Sequence, residues 1–546
     1  MKVFSWLLGI LCTMTVIQAT AQSCSISIPT TQNTIDGSQF LPGDTICLEP
    51  GLRSYLLITN CTGTASQPIV FINKTGIVRI DTDHYYGIKL ARSSHVKIIG
   101  NIGHSSEYGI VIQRVGNGAG ISLDELSTDI ELAYLEISNT AIGGIYAKTD
   151  PDCSFTATRD SFTMYNLHIH HCYLHDIADE GMYIGSTKYT GQYLPDCDTT
   201  VFPHYIYGVE VHDNIIERTG WDGIQVSSSP LDCRIYNNII REDSYAEVPN
   251  QMSGILIGGG SVCDCYNNII ADGKGDGIDI FGHQKMKIYN NLILRSGRTF
   301  QPGNETAYKH GIFVGNSPGG ESSTLHIMHN TIISPKSEGI KFFNTNSSGN
   351  LIFNNIVTNP GSYQTIGEQA YFNPALPDSY FSVRNNMFSE YPQSIKFVDY
   401  QSDDFDLQAS STAVNTGFDA GLNAVSFDLL DRPRPHNQGY DIGAFECQDP
   451  HAMIQLPDAT ASNITVEPNP VTDKLYVTIA NKVEHIIQYQ IITVHGYPIS
   501  RPTSLNVPAH QKERLQIDVS ELTAGIYFLR IFGQAKVTNL VFVKSN

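Results

Sequence analysis

Short runs of alternating apolar and polar residues recur through the middle of the sequence, and each run contains an asparagine at the same place. The runs are VHDNII at 211–216, IYNNII at 235–240, CYNNII at 265–270, IYNNLI at 288–293, IMHNTI at 327–332, IFNNIV at 352–357 and VRNNMF at 383–388. A period of about twenty-three residues with strand-type composition is typical of a solenoid. We therefore predict an all-β chain whose successive turns stack short strands into long parallel sheets.

A second repeat alternates with the first and begins each time with glycine. It comprises GMYI at 181, GIQV at 223, GILI at 254, GIDI at 277, GIFV at 311 and GIKF at 339. These runs are too short and too β-branched for helices, so they predict a second set of strands. Longer spacings predict inserted loops near 242–250 and 298–308, and a third insertion follows the first of these strands at 188–207.

Stacking in register would align two columns of side chains on one outer face. If each isoleucine points inward, strand alternation turns the residue that follows it outward. That outer column comprises Tyr183, Gln225, Leu256, Asp279, Phe313 and Lys341. The residues that precede each glycine form a second column of Glu180, Asp222, Ser253, Asp276, His310 and Glu338. With Lys309 and Trp221 alongside, the sequence predicts a strip of acids, bases and rings walled by the insertions.

The ends of the sequence predict further segments. Lys2, an apolar run and Ala19-Thr20-Ala21 are typical of a signal peptide over 1–21. The solenoid is predicted over 22–447, a linker over 448–462 and a small β-sandwich over 463–546. No later stretch is apolar enough to predict a membrane span, and we expect a monomer.

Charge and cysteine content restrict the partners and the compartment. A formal charge of −20 without a basic stripe argues against a nucleic-acid partner. It also disfavours a polyanionic sugar unless calcium or a local basic cluster intervenes. The cysteines that follow the signal peptide are even in number, as expected in an oxidising compartment. Cys233 and Cys263 occupy equivalent positions in adjacent turns and predict one disulfide, and Cys153 and Cys197 form a plausible second pair.

The paired asparagines and repeated Gly-Ile strands resemble those of right-handed parallel β-helix proteins, many of which are polysaccharide lyases and glycoside hydrolases. PGDTICLEPG at 42–51 and LLDRPRP with GYDIGAFE at 429–446 resemble the first and last coils of such proteins. The resemblance covers 24–447. GDGIDIFGH at 275–283 resembles part of the polygalacturonase pattern but lacks its further motifs. The segment 319–355 resembles the chondroitinase B and alginate lyase family, although Asn346 stands where that family has its catalytic lysine.

The tail resembles a different family, the C-terminal sorting domain of the type IX secretion system. The matching features are Pro468-Asn469-Pro470 before one strand, Gly525-Ile526-Tyr527 before another, and a lysine close to the end. Such a domain implies the secretion machinery as a partner and a location outside the cell or on the outer-membrane surface, reached through the periplasm. A carbohydrate-binding or adhesive sandwich is the alternative.

Two reactions on a polysaccharide are compatible with the predicted strip. Hydrolysis would use Asp222 and Asp276, two rungs and about 9.6 Å apart, as paired carboxylates. β-Elimination would use Lys309 or His310 as the base, with calcium held by Asp276 and Asp279. In either case the substrate-binding candidates are Glu180, Tyr183, Trp221, Gln225, Phe313 and Lys341.

A non-catalytic role remains the competing hypothesis, in which the solenoid is a rigid scaffold of a glycan-binding or adhesin-like surface protein. Several polar groups also have structural interpretations. The asparagine column is expected to form a ladder of amide hydrogen bonds. His168, His170, His171 and His175 resemble a metal cluster in composition, but their alternation along a strand favours packing or surface roles.

Overall fold

The fold is given by a computed structural model. It describes residues 24–100, 108–301, 308–421, 424–436, 439–448, 464–480, 485–493, 499, 503–507, 512–532 and 537–545. The predicted signal peptide, and all but the first residue of the predicted linker, lie outside the described residues.

Three long parallel sheets dominate the described part of the chain and confirm the predicted right-handed parallel β-helix. Sheet A has thirteen strands: Ile26–Ile28, Thr45–Leu48, Ile69–Asn73, Ser94–Ile99, Thr128–Ala133, Thr163–His170, Tyr205–His212, Leu231–Tyr236, Cys263–Tyr266, Gln284–Tyr289, Ser323–Met328, Asn350–Phe353 and Phe381–Arg384. Sheet B has twelve: Thr34–Asp36, Leu56–Thr59, Tyr86–Ala91, Ala119–Asp124, Ile145–Ala147, Met182–Ile184, Ile224–Val226, Ser253–Ile257, Asp276–Ile280, Ile312–Val314, Ile340–Phe342 and Phe372–Pro374. Sheet C has twelve: Gly51–Arg53, Val78–Thr82, Ile110–Val115, Leu135–Thr140, Tyr173–Ile177, Ile215–Thr219, Ile239–Arg241, Ile269–Ala271, Leu292–Leu294, Thr331–Ile333, Ile356–Thr358 and Met387–Ser389.

Short elements decorate the coils. The α-helix among the described residues is Tyr363–Ile366. The 3-10 turns are Gly37–Gln39, Pro195–Cys197, Gly367–Ala370, Asp378–Tyr380, Pro392–Ser394 and Tyr400–Ser402. The insertion at 188–207 contains an antiparallel pair, Gln192–Leu194 with Thr199–Val201, and a second pair joins Phe397–Asp399 to Asp404–Leu407.

The interior is closed by apolar columns, one residue from each strand. Ile224, Ile255, Ile278 and Ile312 are register partners on successive strands of sheet B, and all are fully buried. Burial of aliphatic side chains stabilises the coils by about 25 cal/mol per Å² of apolar surface. The interior therefore has no room for a ligand, and any binding site must lie on an outer face.

The predicted asparagine ladder is present. Asn268 donates its side-chain amide and its backbone N–H to Oδ1 of Asn291, each at 3.0 Å. Asn291 repeats the pattern on Asn330, and every ladder residue is buried. Equivalent bonds join Asn214, Asn238, Asn268, Asn291, Asn330, Asn355 and Asn386. The asparagine side chains provide hydrogen-bond partners for backbone polar groups at a corner of the coil, where the strand-to-strand hydrogen bonds are interrupted.

Three disulfides link described cysteines. The predicted pairs Cys233–Cys263 and Cys153–Cys197 are both confirmed. Cys233 and Cys263 are register partners whose Cα atoms lie 4.5 Å apart, as expected for neighbouring rungs. The third disulfide, Cys24–Cys47, fastens the first coil and was not predicted.

The last part of the solenoid packs on the outer face of the last five strands of sheet C. Ile395, Phe405, Val414 and Phe445 belong to a buried cluster that also contains outward-facing residues of sheet C, such as Leu292. The outer face of sheet A instead carries side chains of alternating charge. These pair along the stack, as Lys97 does with Glu131 at 2.6 Å. Sheet B carries ion pairs of the buried Asp276 with Lys309 and with His310.

The tail forms two antiparallel sheets. One contains Ile464–Glu467, Lys474–Ala480 and Lys512–Asp518, and the other contains Thr503–Val507, His485–Thr493, Gly525–Phe532 and Val537–Lys544. Leu475 from the first sheet and Leu529 and Phe542 from the second belong to one buried cluster. No helix among the described residues is both long and apolar enough to cross a membrane.

Candidate functional site

The predicted outer column of sheet B is aligned rung by rung. Tyr183, Gln225, Leu256, Asp279, Phe313 and Lys341 are successive register partners. All are partly exposed except Gln225, which is buried. The apolar residues on either side of each of these residues are buried, so the alternation that predicted this column is confirmed.

The second column stacks as predicted but is not open to solvent. Glu180, Asp222, Ser253, Asp276, His310 and Glu338 are all buried, and Asp222 is 0% exposed. Each following glycine approaches the next coil so closely that a Cβ would collide with a backbone carbonyl. Asp243 and Phe300 of the inserted loops are buried as well, and so is Met252. The expectation that this column forms an open strip is therefore wrong, because its members are buried.

An ion cluster occupies the centre of this column. Asp276 Oδ1 lies 2.7 Å from Nδ1 of His310 and also accepts the His310 backbone N–H. Asp276 Oδ2 accepts a 2.9 Å hydrogen bond from Lys309 Nζ, which also donates to the Met252 carbonyl. The second ring nitrogen of His310, Nε2, lies 3.3 Å from Glu338 Oε2. The two carboxylates thus enclose the imidazole from both sides.

The members of the cluster hold one another in their charged forms. Burial disfavours ionisation of Asp276, but the charges of Lys309 and His310 outweigh it and lower the pKa of that carboxyl. Burial also opposes the charge on His310, yet its hydrogen bonds to Asp276 and Glu338 raise the imidazole pKa to about 9. The pKa of Lys309 is likewise raised, because the attraction of Asp276 outweighs desolvation. At neutral pH both bases are therefore protonated.

Neighbouring acids are shifted in the opposite direction. Burial, reinforced by the negative charge of Asp276, raises the pKa of Asp279 well above its usual value. Burial raises the pKa of Asp222 to about 8, that of Glu180 to about 7 and that of Asp243 to about 6. Oδ1 of Asp279 and Oδ2 of Asp222 are buried without a hydrogen-bond partner. The pKa values of Asp276 and Asp279, which lie on one strand, are therefore displaced in opposite directions.

Aromatic rings border Asp279. The ring of Phe313, its register partner, is stacked with His310 at a centroid distance of 5.4 Å and with Phe343 at 6.2 Å. Phe281 lies 5.9 Å from Phe313, and Phe343 is 54% exposed. These three phenylalanines form a surface, here called the aromatic platform, of the kind on which apolar faces of ligands pack.

The remaining candidates lie along the same face. Tyr183 contacts the ring of Tyr146 at 5.3 Å, and Lys148 Nζ lies 4.7 Å above the Tyr183 ring. The buried amide nitrogen of Gln225 has no partner, and Trp221 is half-buried. Lys341 Nζ lies 4.0 Å from Glu338.

For calcium, the donor set at Asp276 and Asp279 is poorly matched. Both carboxylate oxygens of Asp276 already accept hydrogen bonds from Lys309 and His310. A cation at this carboxylate would have to displace the Lys309 ammonium. Calcium at this site stays a prediction.

Sequence reasoning missed Asp243, Phe281 and Phe343 as parts of the site. Asp243 lies in an insertion, whose path no periodicity specifies. Phe281 and Phe343 each stand one residue beyond a strand of sheet B, at Ile280 and Phe342. Their equal offset from the glycine repeat was a signal that would have identified them.

Comparisons with known proteins divide the chain into the same two parts, the solenoid and the tail. Residues 201–374 match the family model described as right handed beta helix region, and residues 465–544 match the secretion system C-terminal sorting domain. The chain carries a β-helix and a secretion sorting domain. The sorting domain indicates export to the cell surface or out of the cell, and it implies the secretion machinery as a partner. A search of curated proteins found no match.

Solved structures show distant similarity. The pectate lyase Pel9A is 12% identical over 78% of this chain and 97% of that chain, with a TM-score of 0.37. XylC in complex with xylose is 10% identical over 91% and 96%, with a TM-score of 0.36. The enzymatically active domain of bacteriophage CBA120 tailspike protein 2 is 11% identical over 92% and 72%, with a TM-score of 0.31. None of these similarities bears on the activity of this chain.

Proposed function

We propose that this exported β-helix binds a polysaccharide along sheet B and hydrolyses it at Asp276 and Asp279. The observation that carries the proposal is the opposite pKa displacement of these two carboxyls. A pair of acids whose environments separate their pKa values is what general acid and general base roles require. In this proposal Asp279, with the raised pKa, is the general acid, and Asp276, with the lowered pKa, is the general base.

In the proposed reaction Asp279 donates its proton to the glycosidic oxygen as the bond to the anomeric carbon breaks. The Asp276 carboxylate takes a proton from water, and the resulting hydroxide adds to the anomeric carbon. Inverting hydrolases separate the two carboxyls by about 6.5–9.5 Å, which leaves room for the attacking water. Access of water to Asp276 requires the Lys309 ammonium to move aside, since it covers Oδ2.

The charges of the cluster favour hydrolysis over β-elimination. A lyase base must be unprotonated when it removes the proton beside a uronate carboxylate. Lys309 and His310 are both held as cations by Asp276, and Glu338 adds to the effect on His310. Neither is therefore suited to be that base at neutral pH.

Substrate would lie on the aromatic platform and extend towards Tyr183. Four rungs separate Phe313 from Tyr183, which at about 4.8 Å per rung is roughly 19 Å. Rings at both ends of this span suit stacking on sugar faces. Gln225 and Lys341 supply polar groups along the same column.

The second candidate function is glycan binding without catalysis. It is favoured by the burial of Asp276, whose side chain is only 8% exposed, whereas Phe343 of the aromatic platform is exposed to solvent. In this alternative the ion cluster only fixes the coils, and the aromatic platform and tyrosines do the binding.

Incubation of the full exported chain with neutral and acidic polysaccharides distinguishes these functions. We expect new reducing ends without the ultraviolet absorbance of unsaturated products. D279N should lose at least about 100-fold in rate, as expected for removal of a general acid. D264N is the matched control, since Asp264 is a desolvated acid on the outer face of sheet A. Retention of a glycan without any product would reject hydrolysis in favour of binding.

A further inference from the structure

A cluster of metal-ligating side chains lies at a different corner of the solenoid, where sheet A turns into sheet C. His171, His212 and Asp213 place one potential ligand atom each within 4.8 Å of one another. His170 adds a third imidazole, with its Nδ1 2.9 Å from Nδ1 of His171. All four residues are partly exposed, so an ion can reach them from solvent.

The register of the coils creates this arrangement. His170 and His212 are register partners on adjacent strands of sheet A. The next residue in each coil, His171 or Asp213, turns the corner in the left-handed conformation with φ of 53° or 54°. Two neighbouring coils thus present a two-by-two array of three imidazoles and a carboxylate.

The chain's own repeats show that the fold does not need these residue types. In the next three coils the same two positions are Tyr-Asn: Tyr236-Asn237, Tyr266-Asn267 and Tyr289-Asn290. The three asparagines adopt the same left-handed conformation, and the three tyrosines continue the stack of rings that begins at His170 and His212. A Tyr-Asn pair is therefore sufficient to form this corner of the coil. Two adjacent coils have His-His and His-Asp at the same positions instead.

The surroundings hold the rings in place and supply negative charge. His171 stacks on Tyr134 at 4.8 Å, and His212 lies between the rings of His170 and Tyr236. Glu131 Oε1 lies 3.5 Å from Nε2 of His170, and Asp213 Oδ2 lies 2.7 Å from Nδ1 of His212. Carboxylates beside metal-binding imidazoles orient the rings and raise their basicity.

We propose that His171, His212 and Asp213, with His170, form a binding site for a divalent transition-metal ion of the zinc type. The three imidazoles suit such ions better than calcium or magnesium, and zinc also accepts a carboxylate oxygen. Zinc is bound at about 2.0–2.2 Å from nitrogen and oxygen ligands. Modest side-chain rotation brings the donor atoms together around one ion. The site lies away from sheet B and is independent of the proposed hydrolysis.

The test uses the full exported chain after removal of metals with a chelator. Titration with Zn²⁺ in a calorimeter should show one saturable site, which excess Ca²⁺ or Mg²⁺ leaves unchanged. H171N and D213N should each weaken Zn²⁺ binding at least ten-fold, and H212Y/D213N should abolish it. These substitutions copy residues from the chain's own repeats, so the variants should fold.

The matched control is H95N. His95 is also in the left-handed conformation, with φ of 52°, and lies 3.8 Å from the carboxylate of Asp129, but it is outside the cluster. It should bind Zn²⁺ as the wild type does. X-ray absorption of the zinc-loaded wild type should show at least two imidazole ligands. Absence of saturable Zn²⁺ binding, or equal binding by wild type and H212Y/D213N, would overturn the proposal.

Discussion

At the scale of single residues, one carboxylate determines the character of the site. Asp276 accepts hydrogen bonds from both Lys309 and His310, and its charge raises the pKa of Asp279. The residue types in the column that contains Asp276 could be predicted from strand alternation. Their burial could not, because it depends on close packing between coils and on inserted loops that no repeat specifies.

Asp276 and Asp279 should respond differently to the same substitution. D276N removes the counter-ion of partly buried Lys309 and one of the two carboxylates beside His310, and should destabilise the chain by about 3–5 kcal/mol. Because burial raises the pKa of Asp279, D279N replaces a carboxyl whose charged form is disfavoured and should change the free energy of unfolding by less than about 1 kcal/mol. Denaturant titration at pH 7 measures both, and equal losses in the two variants would contradict the assigned charges.

Asp222 should make stability depend on pH. Its folded-state pKa is raised to about 8, so the folded chain binds more protons than the unfolded chain between about pH 4 and 8. Its contribution to stability therefore falls as pH rises through that window, by up to about 1.4 kcal/mol per unit. D222N lacks this dependence and should gain stability relative to wild type between pH 5 and pH 8. Thermal unfolding at a series of pH values measures this change, with the exposed Asp160→Asn variant as the baseline. Plots of stability against pH that are parallel for D222N and wild type would refute the prediction.

At the scale of elements, the repeats gave reliable predictions. The equal offset from the repeated glycine aligned Asp279 with Phe313, and the equal offset from the following asparagine aligned Cys233 with Cys263, because neighbouring strands of a solenoid share one register. The disulfide Cys24–Cys47 escaped prediction, since the first coil lies outside the repeated pattern.

The asparagine ladder should be the most sensitive of these elements. Asn291 accepts both the side-chain and backbone amides of Asn268 and donates to the Cys265 carbonyl and to Asn330. N291A leaves these buried groups unpaired, at about 1–3 kcal/mol for each one. We expect a loss of about 3–6 kcal/mol by denaturant titration, against less than about 1 kcal/mol for the exposed control N117A. A loss in N291A no larger than in N117A would contradict a structural role.

At the scale of the whole molecule, the outer faces of the three sheets differ. The segment that contains Phe405 and Phe445 packs on the last strands of sheet C, ion pairs such as Lys97–Glu131 lie on sheet A, and the ion cluster of Asp276 with the aromatic platform lies on sheet B. The repeat pattern predicted the solenoid and the separate tail. It did not distinguish the faces, because that difference arises from insertions and from a closing segment without periodicity.

The most direct test is infrared difference spectroscopy of the intact chain at pH 7. Protonated carboxyls absorb separately from carboxylates, so each neutral acid can be counted. At pH 5 we expect a protonated-carboxyl band in wild type and in D276N that D279N lacks. At pH 7 we expect wild type still to show this band. If D279N leaves that region of the spectrum unchanged at pH 7, Asp279 is ionised and the proposed acid–base pair does not exist.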